Sequence, residues 1–418
     1  MARMKILISG AGITGNALAF WLSKLDHDVT VVEWYSNIRA TGLQIDLRGS
    51  GIEALRCMGL EQAFRAKAAP ETGLQVVDSS GRRRAFFPVN KSGKGVQSLT
   101  SEFEIMRGDL CNLLYDATKD RTKYIFGSSI ESFEERDNAV EVRFRSGKTD
   151  KFDLVVGADG QWSRTRKMML GPNTPDALYP LDGVSVAYFT MPRPIGKGEE
   201  YVATMYMATR RRGLFLRRHS PDMIQVYMGC TTDSEKFKNA RRGDMKAEKE
   251  ALAEIYQGAG WQTEEILKAM KDADDFYCER LALVKLDSWS RGRVALVGDA
   301  AYCPSASTGM GTTGGIVGAY ILAGEIARHC GEDTTDGLAI ALKEYEAKFR
   351  PFIDHVQHGV ARDSGIWSSM PSSSFGVAFA NCVMGLVSFL GLDIAKWFLK
   401  EDAVKDWDLP KYEELLKK

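Results

Sequence analysis

Gly10, Gly12 and Gly15 stand in the run Gly10-Ala11-Gly12-Ile13-Thr14-Gly15, directly after the apolar residues Ile6-Leu7-Ile8. That spacing suits phosphate binding. The first glycine permits a tight turn, the second lets a pyrophosphate approach the backbone, and the third lets a helix pack close against a strand. A helix from Thr14 to Leu25 would bring free N–H groups and the positive end of its dipole to the same place, which adds Ile13 and Thr14 to the candidate contacts. Glu33 ends a second β-branched run from Val29 and is placed to accept hydrogen bonds from an adenosine ribose. Strand, helix and acid in register make a dinucleotide site. Alone, they do not separate a nicotinamide from a flavin dinucleotide.

Two later segments bear on that choice. Gly157-Ala158-Asp159-Gly160-Gln161-Trp162-Ser163-Arg164-Thr165-Arg166 ends an apolar strand in Asp-Gly and leads into a basic helix start. Val297-Gly298-Asp299-Ala300-Ala301-Tyr302-Cys303-Pro304 is followed by Gly309-Met310-Gly311-Thr312-Thr313. A carboxylate at Asp299 suits the ribityl hydroxyls of a flavin. Backbone N–H groups at Gly309, Gly311 and Thr312, opening a helix, suit pyrimidine oxygens that become electron-rich on reduction. Taken singly, each segment also fits an ordinary turn.

In this order, the three segments resemble the class A FAD-dependent monooxygenases of the aromatic hydroxylase type, over roughly residues 4–365. Within them, Arg39-Ala40-Thr41-Gly42-Leu43-Gln44-Ile45-Asp46 is similar to the branch that inactivates tetracyclines. The resemblance implies that Asp46, Arg107 and Asp299 hold FAD, with Asp159 in the Asp-Gly motif. It also implies that Arg39 lies near the flavin or the incoming nicotinamide cofactor. The implied reaction is reduction of FAD by NAD(P)H, addition of O2 at C4a, and transfer of one hydroxyl from the hydroperoxide to a small apolar, aromatic or polycyclic substrate. Two positions depart from the pattern. Trp34 follows the ribose-binding acid where an arginine is common, and Thr313 follows Gly-x-Gly where an asparagine is common.

Such chemistry needs a pocket that excludes water. Met205, Met207, Phe215 and Tyr227 lie on strands that could wall it. The competing reading is that they form their own domain's core, since alternation lets only one face of each strand line a cavity. No second G-x-G-x-x-G is present, so NAD(P)H is expected to dock transiently on the flavin domain. Arg210-Arg211-Arg212 and Arg217-Arg218 read as a solvated hairpin turn and strand edge rather than a phosphate guide. His355 and His358 could share a helix face, but no third ligand lies nearby, and no metal is expected. Two other readings of the whole remain: a reductase or dehydrogenase of the same fold, and a non-catalytic protein that binds flavin or apolar ligands.

The elements that must position these residues read as an α/β chain. A Rossmann-like FAD-binding domain is expected from 1–70, 100–175 and 285–365, a discontinuous unit. An antiparallel β-sheet substrate domain is inserted from 71–99 and 176–284, and a C-terminal helical extension covers 366–418. Within 418 residues, 55 basic side chains balance 55 acidic ones, so no nucleic-acid partner is implied. Seven scattered cysteines without a C-x-x-C pair argue against disulfides and for a reducing, cytoplasmic setting. The chain is expected to be a monomer or weak dimer. From Ser364 to Leu392 no residue is charged. The stretch reads as a helix packed across the two domains, with contact at a membrane interface as its second reading.

Overall fold

Ile6, Leu7 and Ile8 are all fully buried, which a strand allows only when both faces of its sheet are covered. The computed structural model describes residues 3–39, 42, 44–89, 103–331, 336–358, 360, 370–392 and 407–416. In it β1 (Lys5–Ser9) lies at the centre of a six-stranded sheet. Its neighbours are β2 (Asp28–Val32) and β11 (Leu154–Gly157). Beyond β2 comes β7 (Lys123–Ile125), and beyond β11 come β18 (Val294–Leu296) and β17 (Ser290–Arg291). All pairings are parallel except the one at β17, as expected of crossover connections.

The crossovers and flanking helices are α1 (Ile13–Lys24), α2 (Ser50–Cys57), α3 (Glu61–Arg65), α4 (Arg107–Asp116) and α5 (Arg164–Leu170). A small antiparallel sheet of β8 (Ile130–Arg136), β9 (Ala139–Phe144) and β10 (Thr149–Phe152) branches from the main layer. Two short strands, β3 (Gln44–Asp46) and β6 (Glu104–Met106), pair with each other. The sequence places Ile105 and Met106 at the start of a helix. They instead form β6, because Ile105 is buried opposite Ile45, and the helix opens at Arg107.

A second, seven-stranded sheet has the order β16 (Tyr277–Val284), β12 (Leu178–Pro192), β15 (Met223–Thr231), β14 (Arg212–Arg218), β13 (Val202–Ala208), β4 (Gly73–Val77) and β5 (Arg83–Pro88). It is antiparallel apart from one pairing, β4 with β13, which runs parallel. The β4–β5 hairpin comes from a distant part of the chain and joins at the edge, so no tight turn dictates its direction. One face of this sheet packs on α6 (Glu235–Asn239), α7 (Met245–Tyr256) and α8 (Thr263–Asp272) through Leu214, Val226 and Met228. The opposite face carries Leu181, Val186, Tyr188, Tyr227 and Leu283.

The chain then returns through the short α9 (Asp299–Tyr302) to α10 (Gly311–His329) and α11 (Gly337–Gln357). α10 is buried all round, between α1 on one side and Tyr412, just before α13 (Glu413–Leu416), on the other. α12 (Ser374–Phe389) starts where the serine run predicts, with Ser373 capping Gly376 N. Rather than bridging two domains, it lies on β5, β4 and β13. Ser388 Oγ donates to Phe86 O at 2.7 Å and accepts from Phe86 N at 3.0 Å, which satisfies part of the exposed edge of β5. Ala40, Thr41 and Leu43, residues 90–102, 361–369 and 393–406 lie outside the described residues.

Candidate active site

The first turn is built backbone against backbone. Gly10 has φ +108°, donates to Val32 O at 2.8 Å, and leaves only 2.7 Å between a would-be Cβ and Ala158 O. A Cβ on Gly15 would collide with the carbonyl oxygen of Gly10. Gly12 differs. A Cβ there would meet only Arg107 Nη2, at 3.9 Å, so open space lies in front of it. Gly12 also N-caps α1 without any side-chain bond, leaving the first-turn N–H groups around Ile13 and Thr14 free to face that space. Glu33 closes the arrangement, its carboxylate accepting from Ala11 N at 2.7 Å and Tyr35 N at 3.0 Å.

The late segment meets this turn. Gly298, at φ +67°, would place a Cβ 2.6 Å from Thr14 Oγ1, and Gly315 also abuts Thr14. Asp299 Oδ1 lies 3.7 Å from the position a Cβ on Gly311 would take. Gly309 adopts a left-handed conformation just before α10, and Thr312 is half-buried in the first turn of that helix. Burial pushes the Asp299 carboxyl up, while the Arg107 guanidinium acts against the shift. Arg107 opens α4, and its Nη1 is buried with no hydrogen-bond partner among the described residues. A buried guanidinium N–H without an acceptor is costly. Beside it lie Gly12, Gly42 and the field of Arg39. An orphaned cationic donor at a roomy glycine turn fits a pyrophosphate. Asp299 and the α10 N-terminus fit the polar end of a flavin. The residues present therefore fit FAD.

Other candidates have different partners. Asp46 pairs with Arg48, whose backbone N donates to Thr313 Oγ1 at 3.0 Å. The departure at Thr313 thus holds the loop after β3 to α10. Asp159 accepts from Ser163 Oγ at 2.5 Å and from Arg164 N, Thr165 N and Thr165 Oγ1 at 3.0 Å, so its carboxylate fastens the start of α5. Arg39 stacks over Tyr277, with 4.8 Å to the ring centre, and burial followed by Arg107 lowers its pKa. Cys303 is packed, its buried thiol pushed well up.

The seven-stranded sheet presents an aromatic row to this cradle. Met205 pairs with Phe215, Phe215 with Tyr227, Tyr227 with Tyr188, and Tyr188 with Tyr277, all on one face. Ring centres lie 5.4 Å apart for Phe215–Tyr227, 5.3 Å for Tyr188–Tyr227 and 5.9 Å for Tyr188–Tyr277. Phe215 and Tyr227 sit in the middle of the row. Met205 and Met207 instead pack under α12 with Val387 and Met370. Tyr188, Tyr277 and Glu279 are not singled out by the sequence. Glu279 accepts from Gln161 Nε2 at 2.9 Å, Trp162 Nε1 at 3.2 Å and the Tyr277 hydroxyl, which joins β16 to the Asp-Gly segment. Burial, with Asp299 adding to it, raises its pKa to about 7.

Arg217 and Arg218 correct the expectation of a solvated strand edge. Both are buried. Arg217 donates to both Glu71 oxygens at 2.7 and 2.5 Å and pairs with Glu104 of β6, while Arg218 donates to Arg193 O at 2.7 Å. Arg212 is likewise buried, donating to Ile255 O at 2.7 Å. Alternation sends Arg217 to the Phe215 face, where Glu71 and Glu104 meet it, and Arg212 and Arg218 to the other face, where backbone carbonyls do. Gln44 N donates to Gln225 Oε1 at 2.8 Å, and Tyr227 Oη donates to the same oxygen at 3.1 Å, so β3 and the sheet face are tied together beside the row.

A family description for an FAD binding domain matches residues 3–359. The chain is 49% identical, over the full length of both, to the FAD-dependent monooxygenase asL4 of Sarocladium schorii. It is 41% identical to the flavin-dependent monooxygenase eupH of a Phoma species, covering 93% of each chain. The crystal structure of tetracycline destructase Tet(51) superposes with a TM-score of 0.77 and 28% identity, covering 99% of this chain and 100% of that one. The HpxO protein of Klebsiella pneumoniae, solved with FAD and uric acid, shares the fold with a TM-score of 0.68 and 19% identity over 94% and 98% of the two chains. Kinship of this extent, in sequence and in fold, makes the chain a member of the class A FAD-dependent monooxygenases.

Proposed function

We propose that this monooxygenase uses NAD(P)H and O2 to insert one oxygen atom into a small apolar molecule, aromatic or polycyclic, held between the flavin and the Phe215–Tyr227–Tyr188 row. The observation that carries the reading is the row itself, whose far end meets Arg39 and whose Glu279 neighbour is held by the Asp-Gly segment. A stacked aromatic surface favours flat apolar ligands over charged ones. A polycyclic substrate is also supported by the likeness to tetracycline destructase Tet(51). Bound FAD supplies the activation of oxygen that no side chain here could provide.

The chain's own groups have separate tasks. Arg107 and the Gly12 turn bind the pyrophosphate, and Asp299 with the α10 N-terminus orients the ring. Tyr188 and Tyr227 are buried, which holds their hydroxyls well above neutral pH in pKa, so they keep their protons and exclude water without acting as bases. NAD(P)H visits the flavin domain without a fold of its own, and the protein works as a cytoplasmic monomer or weak dimer. The test is oxygen uptake and NAD(P)H oxidation by FAD-loaded protein across a panel of phenolic and polyketide-like compounds, with mass spectrometry under labelled O2. Substrate-dependent uptake with one labelled oxygen in the product is expected. Anaerobic turnover of a double bond, or product without label, would establish the reductase reading instead.

A further inference from the structure

α12 is apolar on every side, as a helix in the centre of a core would be, yet much of it faces solvent. Its inner side, Val377, Ala380, Val383, Met384 and Val387, packs on the seven-stranded sheet. The outward residues are Phe375, Phe379, Leu386, Phe389 and Leu390, a continuous stripe at helical spacing. Phe375 is 81% exposed, Phe379 63%, Leu386 59% and Phe389 87%. An aligned apolar stripe of this size marks a contact surface rather than chance exposure. Having 16 residues, α12 is too short to cross a bilayer, and among the described residues no helix is long and apolar enough to do so.

Charge at the rim identifies the partner. The backbones of Arg210 and Arg211 donate to Ser372 O and Pro371 O at the entry to α12, and both residues are exposed. Arg82 precedes β5 and Arg83 and Arg84 open it, where Gly385 of α12 rests against Arg84 O. Strand register brings both arginine groups to the same end of the sheet. In these two turns five arginines face one carboxylate, Asp78, which pairs with Arg82 and Arg84. We propose that the α12 stripe and its arginine rim dock this protein on an anionic lipid surface, with the phenylalanines in the acyl boundary and the arginines at the headgroups. A second copy of the chain fits less well, since pairing two such faces would set arginine against arginine with no acid on α12 to relieve it.

The experiment is co-sedimentation of the full-length, FAD-loaded protein with phosphatidylcholine vesicles, with and without phosphatidylserine, at low and high salt. Binding is expected on the anionic vesicles, weakened by salt. Each of Arg83→Gln, Arg210→Gln and Arg211→Gln should weaken it about fivefold, about 1 kcal/mol. The double variant Phe379→Ser/Phe389→Ser should weaken it more than about tenfold. Flavin absorbance and thermal melting check that each variant is folded, and both phenylalanines are exposed enough to be replaced without opening the core. Three results would overturn the proposal. They are equal binding to neutral vesicles, a monomer that ignores all vesicles, and a dimer in light scattering that the Phe379→Ser/Phe389→Ser change dissolves.

Discussion

The cofactor turn and the aromatic sheet face are built by opposite means. At the turn, glycine backbone meets backbone, Gly15 against Gly10 and Gly10 against Ala158, while the Thr14 side chain fits against Gly298 and Gly315. At the sheet face, side chain meets side chain across five strands, and a polar network of Gln44, Gln225, Glu104 and Arg217 fixes its border. Backbone contacts tolerate almost no substitution and can be read from a short motif. Side-chain contacts tolerate exchange and can give each family member its own ligand. In the proposed reading, the turn holds the cofactor and the sheet face selects the substrate.

Breaking the turn should have the largest effect, and it should split by position. Gly15→Ala drives a methyl into the Gly10 carbonyl, where no flexible side chain can give way, and should cost more than about 3 kcal/mol in urea unfolding of the apoprotein. Gly12→Ala meets only open space and should leave apoprotein stability within about 0.5 kcal/mol. The same change should weaken FAD at least about tenfold in a fluorescence titration, because the methyl stands where the pyrophosphate comes closest. If the two variants lose stability equally, the distinction between packing and ligand glycines fails.

At the border of the sheet face, the next largest effect belongs to Arg217. Arg217→Met leaves Glu71 and Glu104 buried with their guanidinium gone and should cost about 3–5 kcal/mol. Glu71→Gln keeps the Arg217–Glu104 pair and should cost clearly less in the same denaturation series. A reversed order would mean that the guanidinium is not what holds this border.

Glu279 gives a pH signature. The folded carboxyl keeps its proton up to about pH 7, whereas the ordinary value is 4.5. Between those values the folded state binds one proton more than the unfolded chain, so raising the pH costs stability there. The loss is up to about 3 kcal/mol and levels off above the folded value. Glu279→Gln should remove that slope. His27 opposes it: burial lowers its pKa to about 4, so the folded form resists protonation and loses stability as pH falls below 6.5. The test is therefore the difference between the two proteins across pH, measured by chemical denaturation without FAD.

The legibility of the site follows the same division. Gly10, Gly12, Gly15, Glu33 and Asp299 stand out because one local turn forces each residue type, and the early and late segments do meet in space. Tyr188, Tyr277 and Glu279 are invisible because their roles arise from strand register between segments far apart in the chain, and register is not written in any one segment. Arg217 is misread for a related reason. Its neighbour-rich sequence of arginines looks solvated until Glu71 and Glu104 arrive from elsewhere. The short β6 is missed because Ile105 becomes a strand residue only by pairing with Ile45. α12 shows the limit from the other side: its start is legible from Ser373, while its exposed stripe depends on which face the sheet covers.

The smallest effect separates the two readings of the row most finely. Tyr227→Phe keeps the ring and its contacts with Phe215 and Tyr188 and removes only a hydroxyl that donates to Gln225 Oε1 at 3.1 Å. Gln225 Oε1 still accepts from Gln44 N, so the stability cost should be about 1 kcal/mol. FAD affinity should not change, because among the described residues that hydroxyl bonds Gln225 and lies near Gln44 O rather than any FAD-facing residue. If the row lines the substrate, loosening Gln225 beside it shifts the wall that a rigid polycycle must fit. In that case KM for the cognate substrate should rise about threefold, which is about 0.6 kcal/mol of binding. A row that is only the sheet's own core would give the same stability cost with KM untouched, and the pair of measurements on one variant would decide between the two.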